Sequence, residues 1–343
     1  MQKGLTRFEF FFNQLQELLA TAVKQKNPAL WLYRNNARTP LFMLEALAKL
    51  YGELHNEKKF TRIREHFKLL EDTIGDIDYY DTIAKDLAPN KKVPATIISY
   101  LQAETREKIQ SLNEILLEKG WLKPDNNRLV KIHKKLSKAD WLEEKAEMNA
   151  IKDFYGKAIY EIIEFVQEKK FHFENMEDDV HELRRKLRWL SIYPQAVSGC
   201  IQLEKKPTAE KHLKKYATPD IINSPFNKMP PAGLAKYVLL LEQDSYYALS
   251  WMIAELGRLK DDGLHIIAVK EGLQVGAKSD DAVAFKEAYK ILGKKQAMLP
   301  LLLEEAQKIS KTFFNEHVLE NLVLNVTKTP SFKPAKTKKK RPV

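Results

Sequence analysis

An all-α fold is what the sequence predicts, on three observations. Glycine is scarce, 12 in 343 residues. Apolar residues recur at spacings of three and four along almost every long segment instead of alternating, which is the signature of helices with one buried face. Pro28, Pro89, Pro124, Pro194, Pro219 and Pro230-Pro231 punctuate those segments, where they act as helix boundaries. In chain order, the spacing predicts helices over about 6–26, which stops before Pro28, and 29–53 and 58–73, which follow it. Pro89 precedes a helix at 93–119, and Pro124 one at 126–136. Further helices are expected at 139–169, at 176–193 up to Pro194, and at 204–216 ahead of Pro219. A turn-rich loop at 217–231, closed by Pro230-Pro231, leads to helices at 231–260, 280–292 and 295–325, with Gly263 and Gly272 read as helix stops.

Composition narrows the function classes. The 44% hydrophobic content is too high for a disordered chain. The single Cys200 excludes an intramolecular disulfide framework and a multi-cysteine zinc site, and reads as a buried free thiol. No stretch approaches the roughly 18–20 apolar residues of a membrane span, and Glu9 interrupts what would be the apolar core of a signal peptide. A cytoplasmic protein with no membrane partner is expected.

The charge is unevenly placed. Of 57 Lys and Arg against 46 Asp and Glu, seven cations and no acids lie in residues 327–343, so the remainder carries 50 cations against 46 acids. That Lys-rich, proline-containing tail is expected to be disordered and able to touch a polyanion such as nucleic acid. The body is only mildly basic.

Two segments repeat the same order of chemistry. Arg34 and Arg38 precede Gly75, and Arg184 and Arg188 precede Gly257, with spacings of 37 and 69 from the second arginine to the glycine. The order predicts two pseudo-equivalent helical halves, 1–150 and 151–326, followed by the tail 327–343. At about 100° per residue, His181, Arg184, Arg185 and Arg188 share one face of a helix, with Met176, Leu183, Leu187 and Leu190 opposite. The same projection lines up Arg34, Arg38 and Glu45 on the earlier helix, with Pro40 expected to disturb the backbone just past Arg38. Arginine's planar fork suits a bidentate grip on phosphate oxygens, so two such helices facing each other would line a cationic groove.

The pattern His-x-x-Arg-x-x-x-Arg at His181, Arg184 and Arg188, followed by Leu-Gly-x-x-Lys-Asp at Leu256, Gly257, Lys260 and Asp261, resembles the CHAD domain family, over about residues 6–320. The resemblance implies an all-helical, mostly prokaryotic cytoplasmic domain built from two bundle-like repeats that binds inorganic polyphosphate in a basic channel between them. It implies phosphate contacts from His181, Arg184, Arg188 and Lys260 in the second half and from Arg34 and Arg38 in the first. Trp31 stands where the first half would have its histidine, and Asp78 where it would have a basic residue. Lys68 and Arg185 complete the candidate set, with Arg64, Lys186 and Lys205-Lys206 as further surface cations.

Catalytic motifs are missing. The histidines form no His-Glu-x-x-His, and there is no Gly-x-x-x-x-Gly-Lys-Ser/Thr, Gly-x-Gly-x-x-Gly or Gly-x-Ser-x-Gly. The acids Glu71, Asp76, Asp78 and Asp81 read as a helix-start cap in preference to a Mg²⁺ site. No metal, cofactor or enzyme is therefore expected. The leading expectation is non-enzymatic polyphosphate binding. Nucleic-acid association through the tail and a phosphate-ester enzyme using His181 are the alternatives.

Overall fold

The computed structural model describes residues 3–123, 127–206, 211–275, 280–293 and 298–329. Over these residues the chain is all-α in architecture, with one small sheet added. The first half consists of α1 (Lys3–Ala22), α2 (Pro28–Arg34), α3 (Arg38–Leu54), α4 (Glu57–Leu87), α5 (Ala95–Glu118) and α6 (Arg128–Leu136). α7 (Glu144–Glu168) leads through one π-turn (Met176–His181) into α8 (Glu182–Ala196). Then follow β1 (Ile201–Glu204), the short α9 (Pro219–Asn223), β2 (Tyr237–Glu242), α10 (Gln243–Gln274), α11 (Asp281–Leu292), α12 (Leu299–Asn315) and β3 (Val323–Lys328).

Local chemistry sets several of these starts. The side chains of Asn27, Asn56 and Asn127 each accept a hydrogen bond from the backbone N–H three residues on, capping α2, α4 and α6. Pro28 and Pro219 stand at first helical positions, where no N–H is needed.

The structure corrects several local expectations. The helix predicted over 29–53 is two helices, because Asn36 adopts φ 58° between Arg34 and Arg38. Arg38 therefore opens α3, and Pro40 sits harmlessly in its first turn. The helix predicted over 58–73 continues through Gly75 to Leu87, and α10 runs unbroken through Gly257, Gly263 and Gly272. These glycines are contact points where another chain segment lies against the helix. A Cβ at Gly75 would lie 2.8 Å from Arg38 Nη2, at Gly257 2.9 Å from Arg184 Nε, at Gly263 2.9 Å from Met176 Cε and at Gly272 3.0 Å from Ile97 Cγ2. The roughly 1 kcal/mol that glycine costs in a helix interior is offset by that close approach.

The other corrections concern strands. The N-terminal part of the segment predicted as helix 231–260 is β2, and the 204–216 segment divides into the end of β1 and a 3₁₀ turn at Lys211–Tyr216. The helix predicted to reach 325 stops at Asn315 and gives way to β3. β2 is central, parallel to β1 (Ile201 opposite Leu239) and antiparallel to β3 (Val238 opposite Thr327). A short apolar run such as Val238-Leu239-Leu240-Leu241 reads equally as buried strand or buried helix, since both of its faces are covered. Thr327 and Lys328, assigned to the tail, belong to β3, whereas 330–343 lie outside the described residues.

One buried core runs from Phe8 to Leu322, and a smaller one joins the end of α4, the start of α5, α10 and α11. The 150/151 division falls inside α7, where Met148 and Ile151 share the main core. Cys200 is buried and forms no disulfide.

The approach to α8 is held by Asp179, which is 3% exposed. It accepts the N–H groups of Glu174 and Asn175 at 2.8 and 2.9 Å and pairs with Lys169. Burial works to raise its carboxyl pKa, but Lys169 and the two backbone donors outweigh it and hold the group below the ordinary carboxylate range. A depressed folded-state pKa means stability that is present above the unfolded value, about 4, and is lost as pH falls through the folded one. Asp179→Asn is expected to lower stability by about 1–3 kcal/mol at pH 7. The gap from the parent should close below about pH 4; denaturant melts across pH check both.

Candidate functional site

The predicted basic helices meet. α3 and α8 pack directly against one another. Arg38, Phe42, Glu45 and Lys49 recur along one face of α3 at helical spacing, while α8 brings Arg184, Arg188 and Trp189 to the same seam. The seam itself is aromatic. The rings of Phe42 and Trp189 stack at 4.9 Å with 10° between their planes. The Arg188 guanidinium lies 4.5 Å from the Phe42 centroid and the Lys49 ammonium 5.0 Å from that of Trp189. Each such contact contributes on the order of 0.5–2 kcal/mol and holds a cation without neutralising it.

The three arginines differ in what they touch. Arg38 is neutralised: its Nε donates to Glu71 at 2.7 Å and its Nη1 pairs with Asp78 at 3.2 Å. Arg184 lies along Gly257 and its Nε donates to the carbonyl of Ile253 at 3.2 Å. Arg188 rests on Phe42. Among the described residues neither Arg184 nor Arg188 forms an ion pair with a carboxylate. Burial lowers the Arg184 pKa, with Arg38 adding repulsion and Asp261 opposing it. Burial, Arg184 and Arg38 push that of Arg188 down to about 10, against the pull of Glu71. Guanidinium stays charged in proteins, so the physical content of these shifts is first the cost of burying the charge, to which repulsion from the neighbouring arginines adds.

A second group gathers around Glu177. His181 Nδ1 is 2.9 Å from its carboxylate, and Lys260 and Arg185 act on it from nearby. The hydrogen bond from His181 leads in holding Glu177 below the ordinary carboxylate range, against burial. Arg185 also pairs with Glu182 at 2.6 Å and Lys260 with Asp261 at 2.9 Å. His181, Arg185 and Lys260 thus each have a local carboxylate partner. Arg184 is linked to this group through Asp261.

Two candidates lie apart. Arg34 ends the separate helix α2 and acts on Asp81 and Tyr33, so the shared stripe with Arg38 does not exist. Lys68 pairs with Asp72 at 2.5 Å on α4. The acids read as a helix-start cap sit mid-α4 instead. Glu71 and Asp78 hold Arg38, and Asp81 accepts from Tyr33 and Lys85 at 2.6 Å each.

Sequence reasoning missed Phe42, Trp189 and Lys49. The available signal was an aromatic one turn after Arg38 and another beside Arg188. Among the described residues no group of three or more His, Cys, Asp or Glu is placed to hold a metal ion, and no helix is long and apolar enough to cross a membrane. Comparison of the chain with family models, curated proteins and solved structures finds no match.

Proposed function

We propose that this chain binds inorganic polyphosphate, or a polyanion of the same chemistry, without turning it over, through Arg184 and Arg188 at the α3–α8 seam. One observation carries the reading: two half-buried arginines stand together beside Arg38 with no carboxylate partner among the described residues. An arrangement that is repulsive when empty is relieved by a bound anion, and each arginine fork offers a bidentate grip on phosphate oxygens. The His-x-x-Arg-x-x-x-Arg resemblance to CHAD domains points the same way. His181, Arg185 and Lys260 flank the pair and extend it along α8 and α10. The first half contributes little, because Asp78, which stands where the resemblance expects a base, takes up Arg38.

Filter retention of long-chain polyphosphate at low and high salt tests the reading. Tight retention that falls steeply with salt is expected, because neutralising a phosphate chain releases its counterions. A chain truncated after residue 329, which leaves β3 whole, should bind within about threefold of the full chain, because this reading puts the affinity at Arg184 and Arg188. Loss of binding on truncation would instead establish the tail, and with it nucleic-acid association, as the polyanion site. Turnover of phosphate esters by the full chain, abolished by His181→Ala, would overturn the non-enzymatic reading.

A further inference from the structure

The cationic seam carries an acid at one end. Gly257, Lys260 and Gly263 recur at every third residue of α10, which sets them turn by turn down one side of that helix. Arg184 of α8 packs on Gly257 and Met176 of the π-turn packs on Gly263. Lys260 therefore lies between the two contacts, beside Glu177 and His181. His181 Nδ1 is 2.9 Å from Glu177 Oε1 and 3.0 Å from Oε2, so the carboxylate presents both oxygens to it. Lys260 and Arg185 act on the same carboxylate, and its charge reaches Tyr79 on α4. Glu177 thus gathers the cations that flank Arg184, as a phosphate group placed there would.

The backbone beneath this acid is pinned, whereas its side chain is not. Asn175 accepts the N–H groups of Glu177 and Asp178 at 2.8 and 3.1 Å, and Met176 is buried. The Glu177 side chain is 60% exposed. Ion pairs that exposed are weak, so the carboxylate can rotate into water at little cost.

We propose that Glu177 is an internal counter-ion of the polyanion site, holding the place of one phosphate group against His181, Arg185 and Lys260 until a bound chain displaces it. The inference rests on the polyphosphate reading of the seam and names the residue that opposes binding there. What the contact adds to the stability of the empty protein, it subtracts from the affinity for the ligand that replaces it.

The experiment is filter retention of long-chain polyphosphate by the full chain at about 0.1 M salt, where exposed charges more than about 10 Å apart are largely screened. Glu177→Gln is compared with Glu174→Gln, which removes the same charge three residues away, from a side chain that is 79% exposed and pairs with His172 at 3.3 Å. Removing a like charge a few ångströms from a bound phosphate should tighten retention about threefold to tenfold for Glu177→Gln. Glu174→Gln should stay within about twofold of the parent. Denaturant unfolding of the unliganded Glu177→Gln protein should show a midpoint at or slightly below that of the parent, so that affinity rises without a gain in stability. Glu177→Gln retention equal to or weaker than that of the parent, or an equal gain from Glu174→Gln, would overturn the proposal. Arg184→Ala/Arg188→Ala, measured alongside, separates the two ways of failing. If that double variant binds as the parent does, the seam is not the site and both readings fall. If it has lost binding and Glu177→Gln gains nothing, only the counter-ion assignment falls.

Discussion

Glu147→Gln is expected to cost about 3–5 kcal/mol of folding stability, the largest effect of any near-isosteric change in this chain. Glu147 is 1% exposed and sits 2.9 Å from the Arg7 guanidinium. It also accepts from the Tyr51 hydroxyl at 2.6 Å, while Arg7 donates to Tyr51 and, at 3.0 Å, to Cys200 Sγ. The network ties α1, α3, α7 and the residue before β1 together. Burial opposes the Arg7 charge, but Tyr51, Glu147 and Cys200 around it hold its pKa above the ordinary value. Arginine cannot shed its proton, so removing the one carboxylate leaves an uncompensated buried cation. Arg7→Met should also cost stability, because it strands the buried Glu147 carboxylate. The double variant Arg7→Met/Glu147→Leu should recover most of the loss. Chemical denaturation of the four proteins checks the cycle; a Glu147→Gln chain as stable as the parent would show that the network does not hold the halves.

Arg184→Ala/Arg188→Ala is expected to weaken polyphosphate retention by at least about 100-fold, since two charge-assisted contacts at about 1.5–3 kcal/mol each are lost. Folding should change little or improve, because the two removed charges repel each other and Arg38. The salt dependence should also flatten, as fewer counterions are released. Gly257→Ala supplies an independent arm. It leaves both arginines in place but puts a Cβ 2.9 Å from Arg184 Nε, while gaining up to about 1 kcal/mol of helix propensity. Affinity should fall about tenfold without loss of stability. Gly75→Ala, which displaces the already neutralised Arg38, should change affinity by less than threefold. A double variant that binds as the parent does would remove the arginine pair from the site.

How much of this was readable beforehand depends on whether the determining physics is local. Arg184, Arg185 and Arg188 could be placed together on α8 because helix periodicity is local, whereas His181 falls in the π-turn just before it. The weaker first half was readable in Asp78, which does take up Arg38. The ordered pairing of arginine with glycine was also visible, but its meaning was not. Glycine's cost in a helix suggests a stop, and only the neighbour lying across it shows that α4 and α10 continue. The pairing itself shifted by one turn: Arg184, and not Arg188, is the residue on Gly257, matching Arg38 on Gly75.

The strands failed for a related reason. Val238-Leu239-Leu240-Leu241 has no period to read, because its two sides are covered by parts of the chain far away in sequence, and its partners β1 and β3 are chosen by that packing. The break at Asn36 turned one predicted helix into two and parted Arg34 from Arg38. That break depends on a single left-handed residue, which apolar spacing does not detect.

The sequence by itself determined that the chain is helical, that Cys200 is a buried thiol outside any disulfide, and that a cationic face exists on the helix after residue 181, because composition and a 3.6-residue period act within a few turns. Tertiary structure decided which cations remain without a partner. Arg38 found Glu71 and Asp78, and Lys260 found Asp261. Arg184 and Arg188 were set on Gly257 and Phe42, and Lys49 under Trp189. A charge's chemistry depends on what lies within a few ångströms of it, and for these residues nearly all of that comes from helices distant in sequence.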